Sequence, residues 1–408
     1  MGYLGLLNVS RKYDVEQIPF SYFIILSVIL RLALIPAFPN LSDDLYRFIW
    51  DGYLIHEGIN PLTYTPRALI ENNILSDKGL TAIFPLLNSP DYFTIYPPVS
   101  QLIFFLSTVG GISEVTTCSI IIKCILLVAE LLSLVALFKL LRLLKLKVTN
   151  LMIYALNPLV IIEVMTNLHF EAIMASFFLW TLFYLIVKKH ILSSFMLACS
   201  VAAKLLPLMF VPAVLMFLFY HKRWKNYLAY FTLFTVILFT PFFITLDIPN
   251  FFKSIDLYFQ KFEFNASIYY LLRGVGKFLT GYNQIFILGP LLGLTTLLLI
   301  LKKVYKSKVK SVLELITVCL FSFTTYLFLT TTVHPWYLIM PIALSVFNPR
   351  WYIIAWSFLI ILSYSTYANP DYQQNLYLIS LEYLIVFGIM FTEKKYNFDK
   401  PFNQPIAG

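Results

Sequence analysis

Ser42-Asp43-Asp44 stands just beyond the first long apolar run, and Asp43, Arg47 and Asp51 then recur every four residues. On a helix that spacing puts the three side chains on one face. A carboxylate held at a membrane boundary suits a general base that deprotonates a hydroxyl while a lipid-linked substrate presents its head group. The plainer alternative is a surface helix with exposed ion pairs. Other polar residues sit at breaks between apolar runs. Asn167-Leu168-His169-Phe170-Glu171 separates two of them, Lys204 precedes Pro207 and Pro212, and Thr332-Val333-His334-Pro335-Trp336-Tyr337 follows a third. His169 and Glu171 are two apart rather than four, so a polar turn or a head-group contact fits them better than a metal. A lysine at a broken helix either meets a phosphate as a point charge or snorkels to the interface. Arg31 stands near the end of the first run with the same two options.

The elements that must position these residues are membrane spans. Of 408 residues, 59% are hydrophobic and 12% charged, against the ~25% charged typical of soluble chains. Mean hydropathy is +0.78. So little charge cannot cover so much apolar surface in water. Soluble enzymes, disulfide-rich secreted folds and disordered chains are excluded. Cys118, Cys124, Cys199 and Cys319 all lie in apolar stretches without CxxC spacing, so neither disulfides nor zinc is indicated. No cleavable signal peptide is evident, and the first apolar run reads as a retained anchor.

Apolar runs fall at 20–38, 117–141, 151–166, 170–187, 191–204, 206–220, 226–246, 283–301, 312–332, 336–347, 350–367 and 376–391. The block 191–220 is split at Lys204–Pro207, because a lysine beside a helix breaker fits a turn better than the bilayer centre. Residues 98–112, from Pro97-Pro98 to Gly110-Gly111, read as a half-embedded element. The expectation is an all-α polytopic membrane protein of about 12 transmembrane helices, within 10–13, forming one membrane domain. With both termini inside, most of the 30 basic residues fall on the inner side, as the positive-inside rule asks. The net charge of +9 is then membrane orientation, and nucleic-acid binding is not indicated. Inner tails at 1–19 and 392–408 flank the first span at 20–38, spans 2–7 within 117–246 and spans 8–12 within 283–391. External loops at 39–116 and 247–282 remain. The first is too long for a connector and carries Asp43, Asp44, Asp51, Glu57, Glu71, Asp77, Asp91 and Glu114. Within it a helix from Ser42-Asp43-Asp44 to His56 is predicted, stopped at Gly58, with Leu45, Ile49 and Tyr53 as an apolar stripe. Glu130, Glu163 and Glu382, inside apolar runs, read as protonated or hydrogen-bonded packing residues. Arg273 and Lys277 in the second loop carry no assigned role.

Asp43-Asp44-Leu45-Tyr46-Arg47-Phe48-Ile49-Trp50-Asp51-Gly52, Gly58-Ile59-Asn60-Pro61 and Tyr96-Pro97-Pro98 together resemble the first-loop signature of bacterial GT-C glycosyltransferases. These polytopic enzymes use polyprenyl-phosphate-linked sugars and are often mannosyltransferases. More distantly the chain is similar to dolichol-phosphate-dependent enzymes of lipid-linked oligosaccharide and GPI assembly. Asn167–Glu171 resembles the family's Asn-Gly-His-Asn-Asp-like turn, with Leu168 for the usual glycine and Glu171 for the usual aspartate. Lys204 with Pro207 is similar to its Lys-x-x-Pro segment, and His334 to Tyr337 to its His-Pro-Trp-Tyr turn.

The resemblance implies hexose transfer, mannose favoured, to a lipid-linked or glycan hydroxyl on the external face of a bacterial inner membrane. It places the essential loop acid on Asp43 or Asp44, with a lean to Asp43 because it shares a face with Arg47 and Asp51. Arg47 and Asp51 are expected to support the acid or bind acceptor, with Tyr96, His169 and Glu171 as further substrate contacts. Cationic His334, Lys204 or Arg31 would stabilise the leaving phosphate. No cofactor or metal is implied, and the resemblance implies inversion at the sugar. A transporter or flippase of lipid-linked sugars is the rival from another class, and an O-antigen ligase or polymerase the enzymatic one. The large acidic first loop and the lack of a visible inverted repeat count against the transporter.

Overall fold

The computed structural model describes residues 2–5, 20–74, 78–110, 114–243, 262–368 and 371–396. Most of the expected terminal tails, Asp77, Gly111 and the second loop up to residue 261 lie outside them. Among the described residues the chain is helical, and its only β contact is an isolated parallel bridge between Phe264 and Thr332.

The helices in order are α1 Phe20–Ala33, α2 Asp44–His56, α3 Pro66–Glu71, α4 Lys78–Ile83, α5 Pro98–Ser107, α6 Val115–Leu143, α7 Met152–Ala155 and α8 Pro158–Met165. They continue as α9 Glu171–Ile186, α10 His190–Ala203, α11 Val211–Tyr220, α12 Trp224–Phe243, α13 Ile268–Thr280, α14 Ile285–Ser307 and α15 Val312–Leu329. The last three are α16 Ile339–Ser345, α17 Trp351–Leu359 and α18 Leu376–Tyr396.

The expected twelve spans are met only in part. Five stretches among the described residues are long and apolar enough to cross a bilayer: α6, α14, α15, Trp351–Ala368 and Leu376–Lys394. Val148–Ala155 with Pro158–Met165, bent by 50°, makes a sixth if counted as one. Several of the other runs form broken or shorter apolar helices, and hydropathy does not register such breaks. Asn157-Pro158 splits 151–166, and α9 ends after 16 residues. At 1.5 Å per residue that is about 24 Å, short of a hydrocarbon core of ~30 Å. Lys204 takes an extended backbone (φ −150°, ψ 141°) and stops α10 at Ala203. Within 98–112, read from sequence as half-embedded, the described residues form the ten-residue apolar α5, too short to cross a bilayer.

The predicted helix at Asp44–His56 forms, and its end follows from backbone geometry. Gly58 adopts φ +71°, while Gly58 N–H donates to Ile55 O and Ile59 N–H to Leu54 O, satisfying carbonyls the helix leaves open. One face of α2 packs on α5, with Phe48 stacked on Phe104 at 4.5 Å and Phe170 meeting both edge-on. The backbones come so close that a Cβ on Gly52 would overlap the Phe104 carbonyl.

The first helix is tied in by charge. Arg31 is fully buried and donates to Glu130 Oε2 from Nε (3.1 Å) and Nη2 (2.8 Å). Its Nη1 donates to Ser27 Oγ (2.6 Å) and Ala155 O (2.8 Å), and Tyr154 OH donates to Glu130 Oε1. Arg31 therefore neither snorkels nor faces a head group, and Glu130 is a buried hydrogen-bonded residue, one of the two readings its sequence position allowed, held in an ion pair with Arg31. Removing one member of a buried pair costs about 3–5 kcal/mol, because the other charge is left uncompensated. Glu130→Ala is accordingly expected to lower thermal stability in detergent by that order, with Arg31→Met/Glu130→Leu recovering most of it. Wild-type stability of Glu130→Ala would show that α1 is held by something else.

Candidate active site

Asp43 and Asp44 begin α2 but differ in surroundings. Asp43 occupies the cap position, exposed, and its side chain makes no capping bond. Asp44 is half-buried and accepts hydrogen bonds from Asn88 Nδ2 (3.1 Å) and Tyr96 OH (3.3 Å). Those donors belong to the segment that closes the first loop, so something must hold that segment beside α2.

The holding group is the next turn of the same helix. Arg47 Nε donates to Asp51 Oδ1 at 2.8 Å, and Arg47 Nη1 donates to the carbonyls of Ser89 (3.1 Å) and Tyr92 (2.9 Å). Gln101 Nε2 on α5 donates to Asp51 Oδ2 (3.0 Å) and Thr94 Oγ1 (3.1 Å). Arg47 and Asp51 do share a face four residues apart, as the spacing predicts, but both are buried. They clamp the 88–96 segment, where an acceptor-binding role would need them exposed. Tyr96 is seated edge-on against Phe48 and Phe104, which aims its hydroxyl at Asp44.

A second wall comes from helix breaks elsewhere in the chain. The turn after α8 carries Leu168 at φ +63°, a left-handed conformation costing a residue with a Cβ about 1–2 kcal/mol. This accounts for glycine being usual there. The turn delivers His169 and starts α9 at Glu171. Lys204, freed by the end of α10, places Nζ 2.5 Å from Glu171 Oε1 and 5.7 Å from the Tyr337 ring centre. Lys204 is 20% exposed while Glu171 is fully enclosed. Glu171 lies in the electrostatic reach of Asp44 as well as Lys204, so the two walls face one site.

His169 and His334 both stack on Trp336, at 3.6 Å and 4.3 Å between ring centres, and Phe264 stacks on His334 at 4.7 Å. Burial, then the Lys204 charge, pushes His334 down to about 3. The same two causes and the nearby His334 hold His169 well below its ordinary value. Both imidazoles are therefore neutral at physiological pH, which corrects the cationic His334 expected from sequence. Each offers one N–H donor and one acceptor. Of His334, Lys204 and Arg31, only Lys204 brings an exposed positive charge to the site. Among the described residues, four buried polar atoms here have no hydrogen-bond partner: Asn167 Oδ1, His169 Nε2, Glu171 Oε2 and His334 Nδ1. Buried polar groups of this kind can take a hydrogen bond from water or from a polar ligand.

Sequence reasoning missed several members of this site. Glu163 accepts from Asn167 Nδ2 (3.0 Å) and Tyr364 OH (2.8 Å) and lies 3.4 Å from His169 Nε2. Asn88, Tyr364 and Phe264 carry no local signal, since each meets its partner across a long stretch of chain. Arg273 pairs with Glu263 and lies over the Tyr270 ring. Among the described residues no three His, Cys, Asp or Glu side chains gather as a metal ion would require.

Residues 11–220, which include α1, α2 and the turns carrying His169 and Lys204, match the family model MptA_B, described as alpha-(1->6)-mannopyranosyltransferase, N-terminal domain. No curated protein matches the chain.

The buried neutral His334 has a measurable acid-side consequence. Below 6.5 the unfolded imidazole takes a proton while the folded one stays neutral until about 3. Stability is thus fully present above 6.5 and falls as pH drops through that window, by up to about 1.4 kcal/mol per pH unit. Thermal unfolding across this range should show a shallower decline for His334→Asn than for the wild type. Identical slopes would mean that His334 is not held neutral by burial.

Proposed function

Because the chain belongs to the alpha-(1->6)-mannopyranosyltransferase family and is a glycosyltransferase, we propose that it moves mannose from a polyprenyl-phosphate donor to a hydroxyl of a lipid-linked or glycan acceptor. In this GT-C-type reading the reaction takes place on the external face of the membrane. Asp44 accepts the proton of the attacking hydroxyl. The acceptor oxygen bonds to the anomeric carbon as the bond from that carbon to the donor phosphate breaks, and polyprenyl phosphate departs. A single displacement of this kind inverts the anomeric centre.

The observation that carries the reading is a donor-held carboxylate, Asp44, within electrostatic reach of Glu171, which is itself paired with the partly exposed Lys204. The sequence leaned to Asp43 because of its shared face with Arg47 and Asp51. Asp44 is the better base because Asn88 and Tyr96 fix its orientation, and a base must be positioned before its basicity matters. Lys204 offsets charge growing on the departing phosphate, and N–H groups of the neutral His169 and His334 add hydrogen bonds without a proton to lose. Asp43, exposed at the cap, contributes negative charge at the helix N-terminus.

Two measurements test this with purified full-length protein, a polyprenyl-phosphate mannose donor and a membrane lipid extract as acceptor source. Asp44→Asn is expected to lose about 10²–10⁴-fold in turnover, the range for a general base. Asp43→Asn should keep activity within about tenfold, as a helix-end charge is worth only ~0.3–1 kcal/mol. Activity in Asp44→Asn with loss in Asp43→Asn reverses the assignment, and activity in both removes it. Lys204→Ala should lower turnover by about 10²–10³-fold, the scale of losing one preorganised stabilising group. Full activity in that variant would take Lys204 out of the mechanism.

A further inference from the structure

The helix α13, Ile268–Thr280, carries an apolar face that is exposed among the described residues. Leu271 is 72% exposed, Phe278 89% and Leu279 72%, with Val275 and Tyr282 beside them. The spacing of four, three and one residues places Leu271, Val275, Phe278 and Leu279 on one side of the helix, and Tyr282 follows just past its end. The opposite side is buried at Tyr269 and Gly276, and Lys277 is exposed on the flank. Fully burying one phenylalanine is worth about 1.5–3 kcal/mol, so five such side chains in water form a face that something must cover.

The neighbouring chain identifies what covers it. Gly281, at φ +81°, ends α13, and α14 starts at Ile285 as a 23-residue apolar helix long enough to cross a membrane. The outward side of its first turns, Phe286 and Ile287, is exposed and apolar. A four-residue connection fixes α13 at the depth where α14 enters the bilayer, and its bare face continues the lipid-facing surface of that span. High amphipathicity with a basic residue on the polar flank is the pattern of a helix lying in the membrane boundary.

The same helix is joined to the candidate site. Just before it, Ser267 Oγ donates to Phe328 O at 2.9 Å, and Asn265 Nδ2 donates to both Glu382 oxygens. Phe264 N–H donates to Thr331 O and Val333 N–H to Phe264 O, which sets the Phe264 ring on His334.

We propose that α13 lies in the bilayer boundary on the side of the candidate site, its apolar face among the acyl chains, and that this seating holds Phe264 against His334. The partner is the lipid surface itself, and the proposal stands whether or not the glycosyl-transfer assignments are right.

The test uses full-length protein in nanodiscs of phosphatidylcholine and phosphatidylglycerol. Cys124 is replaced by Ser, since the other three cysteines are buried. A nitroxide is placed at Phe278→Cys or Lys277→Cys, and its collisions with oxygen and with a water-soluble nickel chelate are compared. The oxygen-to-nickel ratio at 278 should exceed that at 277 by roughly fivefold or more, as for a helix half-sunk in the boundary. Equal ratios overturn the seating. So does spin–spin broadening at 278, which would mean a second copy covers this face. In Leu271→Asp/Phe278→Asp, and more mildly in Phe278→Ser, amide exchange at Phe264 and Val333 should quicken about tenfold while α14 and α15 keep their protection. Unchanged exchange at those two amides overturns the link to His334.

Discussion

The Asp51 carboxylate takes Arg47 Nε on one oxygen and Gln101 Nε2 on the other, fully enclosed between α2 and α5. The remaining geometry of the first loop descends from that arrangement. Arg47 is free to grip Ser89 and Tyr92 only because Asp51 neutralises it where water cannot. Gripping those carbonyls brings Asn88 and Tyr96 to Asp44. Without the carboxylate, the guanidinium would be a buried charge without compensation, and the segment it organises would have no fixed place.

The rest of the site is assembled from interruptions. Asn157-Pro158, the Asn167–His169 turn and the extended Lys204 each stop an apolar helix short of a full crossing, and the stretch from Thr330 to Pro335 follows the end of α15. Non-helical backbone at membrane depth is tolerated only where protein encloses it or where it lines a polar cavity. Placing several breaks against one another meets that condition, and gathers Glu163, His169, Glu171, Lys204 and His334 into one locale. The breaks between these helices are the features that build the site.

What was legible in the sequence was local. The helix at Asp44–His56, its stop at Gly58 and the Arg47–Asp51 pairing all follow from spacing within a few turns. Lys204 and Glu171, 33 positions apart, each stood out as a polar residue at a break, but nothing in the pattern said that they pair. The charge state of His334 was not readable either, because it is fixed by enclosure from Phe264 and Trp336 and by the Lys204 charge. The choice between Asp43 and Asp44 turned on Asn88 and Tyr96, which approach from the far end of the loop. Periodicity sees one face of one element, whereas burial and partner identity belong to the assembled protein.

The ion pair between Arg31 and Glu130 also orders events in time. The two residues lie 99 positions apart, and at synthesis rates of about 5–20 residues per second, roughly 5–20 s separate their emergence from the ribosome. During that interval the first helix carries a guanidinium with no counter-ion. The side-chain partner already made is Ser27, one turn back in the same helix, 2.6 Å from Nη1. An arginine so placed resists settling in hydrocarbon until α6 arrives. The final seating of α1 is thereby coupled to the arrival of α6, and α1 is locked only once a helix well downstream of it has been made.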